Sequence, residues 1–335
     1  MKKPKVLAAY SGGLDSTLAA RVMVELGFEV LAIQFTSPFL GRSYLKESPE
    51  DYIRAKEATI GCTLRLVDMA IPHIGIVRNP QYGYGSQVNP CIDCKVLFFS
   101  TLRRMMEEEG ALAIVTGEVM GQRPMSQMPK SLRRIEKLAG LEGKIVRPLS
   151  QQLMPEVELE TLGLLDREKL YAFKNRSRKP QMQLAKELGI TEYASPAGGC
   201  FLTDPGMARR IRHLMESPFE EMDEATVRLS MIGRQLILDE ARLAIGRNET
   251  ECRYLPHLLR EGDAFLRMED ERGAVAILRG KQSPANHELA ARILARYSAR
   301  SVERGSRVLM EYRGQTTMFP ADPVEEQRLE GLLVV

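Results

Sequence analysis

Short apolar runs alternate with amphipathic segments along the first two-thirds of the chain. The apolar runs are rich in aliphatic and β-branched residues and predict strands at Lys5–Tyr10, Val30–Phe35, Leu64–Asp68 and Leu112–Thr116. Between them, apolar residues recur at helical spacing and predict helices at Asp15–Leu26, Pro49–Ile60 and Cys94–Glu109. Because this alternation is typical of α/β proteins, we expect an open parallel sheet with helices on both faces.

A change of pattern after His213 predicts a second domain. Residues 217–230 are acidic and polar. Shorter strand-like and helical runs follow this stretch, at Arg242–Ile245, Ala274–Leu278, Asn286–Arg300 and Val308–Tyr312. We therefore expect one domain over residues 1–215 and a smaller α+β domain over residues 216–335.

Composition narrows the class of protein. A chain of 335 residues with 44% hydrophobic residues is long enough for two or three globular domains. Its 47 basic and 44 acidic side chains give a net charge of +3, so an anionic partner must be met by a local basic patch. The first residues lack the apolar core of a signal peptide, and no apolar run is long enough to cross a bilayer. We expect a cytoplasmic protein without a membrane partner, and five sparse cysteines agree with a reducing compartment.

The first predicted strand leads into a string of small and polar residues, Ser11, Gly12, Gly13, Leu14, Asp15 and Ser16. Two adjacent glycines permit positive φ angles, and the N–H groups that begin the following helix favour an anion. Ser11 and Ser16 add hydroxyl donors, while Asp15 is suited to holding Mg²⁺ on a phosphate. A Gly-Gly pair alone also fits an ordinary capped turn, but the full string after a buried strand predicts a phosphate-binding loop.

The SGGLDS string resembles the phosphate loop of the PP-loop ATP pyrophosphatases. The pattern of neither a Walker NTPase nor a Rossmann dinucleotide site is present. The resemblance implies that ATP, with Mg²⁺, is cleaved to AMP and pyrophosphate while a substrate oxygen is adenylated. It also implies that the backbone after the second strand, near Gln34–Thr36 and including Phe35, surrounds the adenine.

Three of the cysteines stand in patterns that indicate a shared task. Cys91 and Cys94 form a CxxC pair at the start of a predicted helix, and Cys200 ends the sequence SPAGGC. A CxxC pair alone is compatible with zinc, disulfide chemistry or iron–sulfur ligation. Three thiolates on a 4Fe–4S cluster leave one iron without a protein ligand, which is free to bind sulfide. Cluster ligation, a persulfide or disulfide relay, and structural zinc therefore stay open.

The remaining metal-binding residue types show no ligand spacing. The four histidines are scattered and are expected to be surface or satisfied core groups: His73, His213, His257 and His287. Cys62 and Cys252 match no motif, so we expect them to be small core residues.

The phosphate loop, the CxxC pair and the distant GGC sequence together resemble the tRNA thiolation branch of PP-loop enzymes, which includes tRNA-specific 2-thiouridylases and tRNA 4-thiouridine synthetases. Residues 116–127 are similar to the TGE…GQ…SQ stretch of the latter. The resemblance implies that Cys91, Cys94 and Cys200 bind a 4Fe–4S cluster or relay a persulfide, with sulfide or a cysteine desulfurase as sulfur donor. It places Thr116 and Gly117 beside the nucleotide.

Two stretches are rich in basic residues. Residues 120–147 carry seven basic side chains, including Arg123, Lys130, Arg133 and Arg134, and residues 174–180 form a second basic group. Charge runs are commonly solvated faces, but beside an adenylating site they predict contact with the phosphate backbone of tRNA. Residues 230–315 resemble the RNA-binding domain of NFACT proteins, and a packing or dimerisation module is the alternative.

These features predict ATP-dependent thiolation of a tRNA uridine. A uridine carbonyl oxygen would be adenylated, and sulfur would then displace AMP. Asp15, Lys95, Cys94 and Cys200 are the expected catalytic residues, with Lys95 stabilising negative charge on the α-phosphate. An amidating synthetase, a sulfur transferase that acts on a small molecule, and a non-catalytic RNA-binding protein are the rival functions.

Overall fold

The chain forms two compact units, Met1–Thr203 and Asp204–Val335. The computed structural model describes residues 3–40, 48–193, 200–270, 273–298 and 306–334. The sequence predicts a boundary at Glu216, whereas the two units divide earlier, between Thr203 and Asp204. The helix Pro205–Glu216 packs against the helix Glu224–Ser230 and therefore belongs to the second unit.

The first unit contains a five-stranded parallel sheet. Its strands are β1 Lys5–Ala9, β2 Glu29–Thr36, β3 Thr63–Asp68, β4 Ala113–Thr116 and β5 Ile145–Val146. Their order in the sheet is β3-β2-β1-β4-β5, so β1 lies at the centre between β2 and β4. The four predicted strands are present, and the two-residue β5 extends the sheet beyond them.

Helices cover both faces of this sheet, which confirms the predicted α/β class. The helices are α1 Leu14–Glu25, α2 Pro49–Ile60, α3 Ala70–Arg78, α4 Cys91–Glu108, α5 Pro129–Ala139, α6 Glu158–Thr161 and α7 Lys179–Glu187. Successive side chains of a strand point to opposite faces. Val6 and Ala8 of β1 accordingly pack in a core with Leu18 of α1, whereas Leu7 packs in a second core with Phe99 of α4.

The second unit is built on an antiparallel sheet of six strands, in the order β11-β10-β8-β9-β7-β6. These are β6 Arg234–Leu238, β7 Ala241–Ile245, β8 Ala264–Met268, β9 Val275–Gly280, β10 Arg307–Tyr312 and β11 Gln315–Pro320. Its helices are α8 Pro205–Glu216, α9 Glu224–Ser230, α10 Glu249–Tyr254 and α11 Pro284–Tyr297. The predicted α+β class is confirmed, and the helix expected over Asn286–Arg300 is α11, with Arg300 outside the described ranges.

Two arginines of the second unit are buried against carboxylates. Arg279 donates to Asp263 at 2.6 Å, and Arg242 donates to Glu220 at 2.6 Å. Buried charges of this kind are tolerated where they are paired and hydrogen-bonded. Asp263 lies within residues 230–315, which resemble the NFACT domain, and its carboxylate pairs with Arg279 inside this unit.

Across the described ranges, no helix combines the length and the apolar character that crossing a bilayer requires.

Candidate functional site

The phosphate loop joins β1 to α1 with a conformation that depends on its glycines and serines. Gly12 has a φ of 76°, in the left-handed region that favours glycine, and Gly13 caps α1 in an extended conformation. The Ser16 hydroxyl donates to the Gly13 carbonyl at 2.9 Å and accepts from the Ser11 N–H at 3.1 Å. The serine hydroxyls thus shape the loop, and the first N–H groups of α1 lack intrahelical partners, as at any helix start.

Gly117 follows β4 and lies against the start of α1. A Cβ atom at Gly117 would fall 2.4 Å from the carbonyl carbon and oxygen of Asp15 and 2.5 Å from the nitrogen of Ser16. These are backbone atoms of a packed helix, so they cannot move aside as a flexible side chain would. The stretch that the sequence placed beside the nucleotide therefore touches the phosphate loop directly, and only glycine fits there.

Asp15 makes polar contacts that the sequence did not predict. Its Oδ2 accepts from Gln122 Nε2 at 2.7 Å and forms an ion pair with Arg178. Gln122 in turn accepts from Gln181 Nε2 at 3.0 Å. The second carboxylate oxygen, Oδ1, is buried and has no hydrogen-bond partner among the described residues. The carboxylate thus keeps one acceptor for a further ligand.

Lys95 reaches a buried carboxylate. Its Nζ lies 3.0 Å from Oε1 of Glu118, and Arg147 Nε lies 3.1 Å from the other oxygen. Burial raises the pKa of Glu118, but the two cations outweigh that effect and hold the pKa below its ordinary value. Arg147 also pairs with Glu136 and is 2% exposed. The prediction that Arg147 belongs to the basic surface is therefore wrong, because its guanidinium is buried and paired with Glu118 and Glu136.

The three cysteines of the motif lie near one another. Cys91 begins α4, where Asn89 Nδ2 donates to its sulfur at 3.1 Å, and Cys94 follows one turn later. Burial raises the pKa of the Cys94 thiol, and the charges of Cys200 and Cys91 raise it further. Burial likewise raises the pKa of Cys200 to about 11, with a further contribution from Cys91. The residues preceding Cys200 in the SPAGGC sequence lie outside the described ranges.

His73 belongs to the same group of side chains, although its sequence position carries no ligand spacing. Its Nε2 lies 3.2 Å from Cys94 Sγ, and its Nδ1 lies 2.8 Å from Ser37 Oγ. The side chain is 1% exposed, and burial lowers its pKa to about 4, so the imidazole is neutral at physiological pH. The expectation of a satisfied core histidine is correct for its burial but missed its contact with Cys94.

Among the described residues, no three His, Cys, Asp or Glu side chains are arranged to hold one metal ion. A structural zinc has no ligand set there. In an iron–sulfur cluster each thiolate binds a different iron, so its ligands stand farther apart than those of one ion. Three partly buried thiols whose charges act on one another are compatible with that donor set. All five cysteines are free thiols, and each lies in a described range.

The end of β2 lies beside this group. The Phe35 ring stacks on Phe98 of α4 with centroids 4.8 Å apart, and the buried Gln34 accepts from Tyr52 Oη at 3.0 Å. Contact of Phe35 with adenine stays a prediction. Cys62 packs at the edge of the first core, and Cys252 contacts Gly246 in the second unit, so both are partly buried, as expected for small packing residues.

Most of the predicted basic residues are on the surface of the first unit. The exposed side chains are Arg123, Lys130, Arg133, Arg134, Lys137, Lys174, Arg176 and Lys179. Arg134 also stacks its guanidinium over the ring of Tyr82, 4.7 Å from the centroid. Arg178 of the same stretch points inward to Asp15 instead.

Comparison with known proteins confirms the resemblance for both parts of the chain. Residues 2–152 match the family described as thiamine biosynthesis protein (ThiI), and residues 233–331 match the NFACT protein RNA binding domain. The probable tRNA sulfurtransferase of Methanothermobacter thermautotrophicus is 30% identical over 160 residues. That alignment covers 48% of this chain and 39% of the relative, so the chain spans about two-fifths of the relative's length.

Two solved structures show distant likeness. A 4-thiouridine synthetase–RNA complex with bound ATP is 22% identical with a TM-score of 0.39, covering 56% of this chain and 41% of that one. The U34-tRNA thiolase NcsA from Methanococcus maripaludis, solved with its [4Fe-4S] cluster, is 17% identical with a TM-score of 0.34. That match covers 66% of this chain and 75% of the NcsA chain.

The Gly117→Ala substitution tests the close approach of β4 to the phosphate loop. We expect it to lower the free energy of unfolding by about 1–3 kcal/mol, because the added methyl group overlaps backbone atoms. Urea unfolding followed by circular dichroism measures this loss. Gly75→Ala in α3 is the control, since its Cβ meets nothing within 4 Å, and it should be neutral or slightly stabilising. Equal behaviour of the two variants would contradict the packing.

The Glu118→Gln substitution tests the buried ion pairs. We expect a loss of about 1–3 kcal/mol in the free energy of unfolding, because Arg147 keeps its charge in the interior with Glu136 as its remaining partner. The folded-state pKa of Glu118 is depressed, so its contribution is present above its ordinary value of 4.5 and is lost as pH falls through the folded-state pKa. The difference from wild type should therefore be constant near neutral pH and shrink in acid.

The exposed Glu156→Gln substitution is the matched control for Glu118→Gln and should stay within about 0.5 kcal/mol of wild type. A Glu118→Gln protein that is as stable as this control would show that the buried charge cluster is not needed.

Proposed function

We propose that this chain is an ATP-dependent tRNA sulfurtransferase that works in the cytoplasm. The observation that carries the proposal is the convergence of two chemistries at one edge of the sheet. The phosphate loop follows β1. Phe39 follows β2, and its carbonyl contacts Cys200. His73 follows β3 and lies beside Cys94. Because the carboxyl ends of parallel strands meet at one edge, an ATP site and a thiol site are brought together there.

The similar proteins support the same function. The relative with 30% identity is described as a probable tRNA sulfurtransferase. The family match over residues 2–152 covers the phosphate loop. The second unit matches an RNA-binding domain, and the first unit exposes a group of basic side chains. Arginine and lysine on such a surface contact the phosphate backbone and make binding sensitive to salt. A folded tRNA fits both features as the partner.

In the proposed reaction a uridine carbonyl oxygen attacks the α-phosphorus of ATP. The bond from that phosphorus to the oxygen bridging to the β-phosphate breaks, and pyrophosphate leaves. The carbonyl oxygen has then become part of a phosphate ester, which is a good leaving group. A nucleophilic sulfur, as sulfide or as the outer sulfur of a persulfide, attacks the ring carbon that carries this oxygen. The bond between that carbon and the oxygen breaks, and AMP departs with the oxygen. The target base must leave its stack to reach the site, which costs a few kcal/mol.

Residues of the first unit supply the binding and the charge. The backbone N–H groups of Gly12, Gly13 and the first turn of α1 bind the phosphates. Asp15 would hold Mg²⁺, which neutralises phosphate charge, and its unpartnered Oδ1 is the available acceptor. Lys95, held by Glu118, stabilises the negative charge that builds on the α-phosphate.

Cys91, Cys94 and Cys200 supply the sulfur chemistry. They would hold a 4Fe–4S cluster, which offers an iron without a protein ligand for binding sulfide. In the alternative, Cys94 or Cys200 carries a persulfide received from a cysteine desulfurase, and its outer sulfur attacks the activated carbon. The other cysteine then releases the thiolated base by forming a disulfide, which a thiol reductant reopens. The cluster would use all three thiols, whereas this relay uses two of them. Iron content and the visible absorption of protein reconstituted without oxygen distinguish the two routes.

A second candidate function is sulfur transfer to a small molecule. The family matched by residues 2–152 is described by its role in thiamine biosynthesis, which motivates this alternative. The same adenylation chemistry would serve it, but an RNA-binding surface would not be needed.

Analysis of tRNA nucleosides by mass spectrometry tests the proposed function. In cells that lack the gene we expect one thiolated uridine to be absent. Wild-type protein should restore it, and Cys200→Ala should fail because one of the three thiols of the proposed sulfur site is missing. Cys252→Ala is the matched control and should restore the nucleoside, since Cys252 lies in the second unit. An unchanged set of thionucleosides would refute tRNA thiolation, and a thiamine requirement in the same cells would favour the second candidate.

The Asp15→Asn substitution tests the metal-binding role. We expect Mg²⁺ to strengthen ATP binding in the wild type and to do so roughly 10–100-fold less in the variant, because an amide is a poorer ligand. Isothermal titration with a non-hydrolysable ATP analogue, with and without Mg²⁺, measures the difference. Asp51→Asn, exposed in the first turn of α2, is the control. The same Mg²⁺ effect in Asp15→Asn as in Asp51→Asn would remove Asp15 from the site.

A further inference from the structure

We propose that His73 is a positioning residue for Cys94. In this arrangement the His73 Nε2–H donates a hydrogen bond to the Cys94 sulfur and fixes its orientation within the group of three thiols. The inference rests on the proposed function for the use of that sulfur, but not for the contact itself. The contact is a distance of 3.2 Å between Nε2 and Sγ.

A chain of hydrogen bonds is compatible with this direction of the contact. The Phe39 N–H donates to Ser37 Oγ at 3.2 Å, and Ser37 Oγ lies 2.8 Å from His73 Nδ1. With its oxygen already accepting from Phe39, the Ser37 hydroxyl can give its own proton to Nδ1. Nδ1 is then the acceptor, so the proton of the neutral imidazole is on Nε2 and points at Cys94.

The ring is held in place by packing as well as by hydrogen bonds. Phe39 and Phe98 both meet the imidazole edge-on, with centroid distances of 5.3 Å and 5.2 Å. Ser37 and Phe39 have no solvent exposure, and His73 has almost none. A buried imidazole between two aromatic rings has few alternative rotamers, so its Nε2 is kept at the sulfur.

The same turn also reaches the third cysteine. The Cys200 sulfur lies 3.9 Å from the Phe39 carbonyl oxygen, to which its thiol donates. The segment from Ser37 to Phe39 therefore bonds to His73 on one side and to Cys200 on the other. Because this segment follows β2 directly, the sheet fixes two of the three sulfurs through one turn.

An N–H donor suits a sulfur that carries negative charge. A thiolate, whether free or bound to iron, accepts hydrogen bonds and cannot donate one. The Cys91 sulfur also accepts a hydrogen bond from a nitrogen, because Asn89 Nδ2 donates to it at 3.1 Å. Two different donors thus serve the two sulfurs of the CxxC pair.

Nitrogen-15 NMR of the histidine side chains in the ligand-free protein tests the inference directly. The chain has four histidines, so labelled protein gives few ring signals, and long-range proton–nitrogen correlations identify the protonated nitrogen of each. We expect His73 as the Nε2–H tautomer, and Cys94→Ser should shift its Nε2 resonance. Cys91→Ser is the matched control and should leave that resonance near its wild-type position. An Nδ1–H tautomer, or equal shifts in the two variants, would overturn the proposal.

Substitution of His73 provides a second readout. His73→Phe fills the aromatic pocket without a donor, whereas the side-chain amide of His73→Gln can replace the Nε2–H. We expect tRNA thiolation at constant protein level to fall at least about tenfold in His73→Phe and to recover in part in His73→Gln. Thiolation by His73→Phe at the wild-type rate would overturn the positioning role. If wild-type protein thiolates no tRNA while the NMR result holds, the proposed function fails and the contact stands.

Discussion

The close approach of two backbones holds the candidate site together. Gly117 directly follows β4 and lies so near the start of α1 that a residue with a Cβ atom would overlap the helix backbone. This contact lets the segment after β4 cover the phosphate loop, where Gln122 reaches Asp15 and Glu118 reaches Lys95 at the start of α4. β1 and β4 are neighbours in the sheet, which brings the segments that follow them together. The geometry of the site therefore depends on the strand order.

Around this contact the charged groups are arranged in pairs that leave few charges unbalanced. Glu118 lies between Lys95 and Arg147, and Asp15 lies against Arg178. Buried charges are stable only when they are paired in this way. The sulfur side of the site is instead partly aromatic, with an uncharged His73 and the Phe98 ring beside Cys94. The charged loop side and the aromatic thiol side suit the two steps of the proposed reaction, activation by ATP and attack by sulfur.

Sequence reasoning succeeded where the determinants are local. The strands and the turn that joins β1 to α1 are encoded within a few consecutive residues, so periodicity and the SGGLDS string predict them. The contact of His73 with Cys94 and the pairing of Arg178 with Asp15 join residues 21 and 163 positions apart, and no spacing rule reports them. The sequence places Arg147 in a basic stretch, but it does not show that Arg147 is buried. That burial depends on Glu118 and Glu136, which come from other parts of the fold.

The most direct test of the account is release of pyrophosphate from Mg·ATP by purified protein, reconstituted with iron and sulfide under anaerobic conditions, in the presence and absence of tRNA. The account predicts that tRNA lacking thiouridine stimulates release, and that fully thiolated tRNA stimulates it much less, because the reactive carbonyl oxygen has been replaced. Pyrophosphate release that does not depend on tRNA, or that is equal for both tRNA samples, would contradict adenylation of a tRNA uridine as the central step.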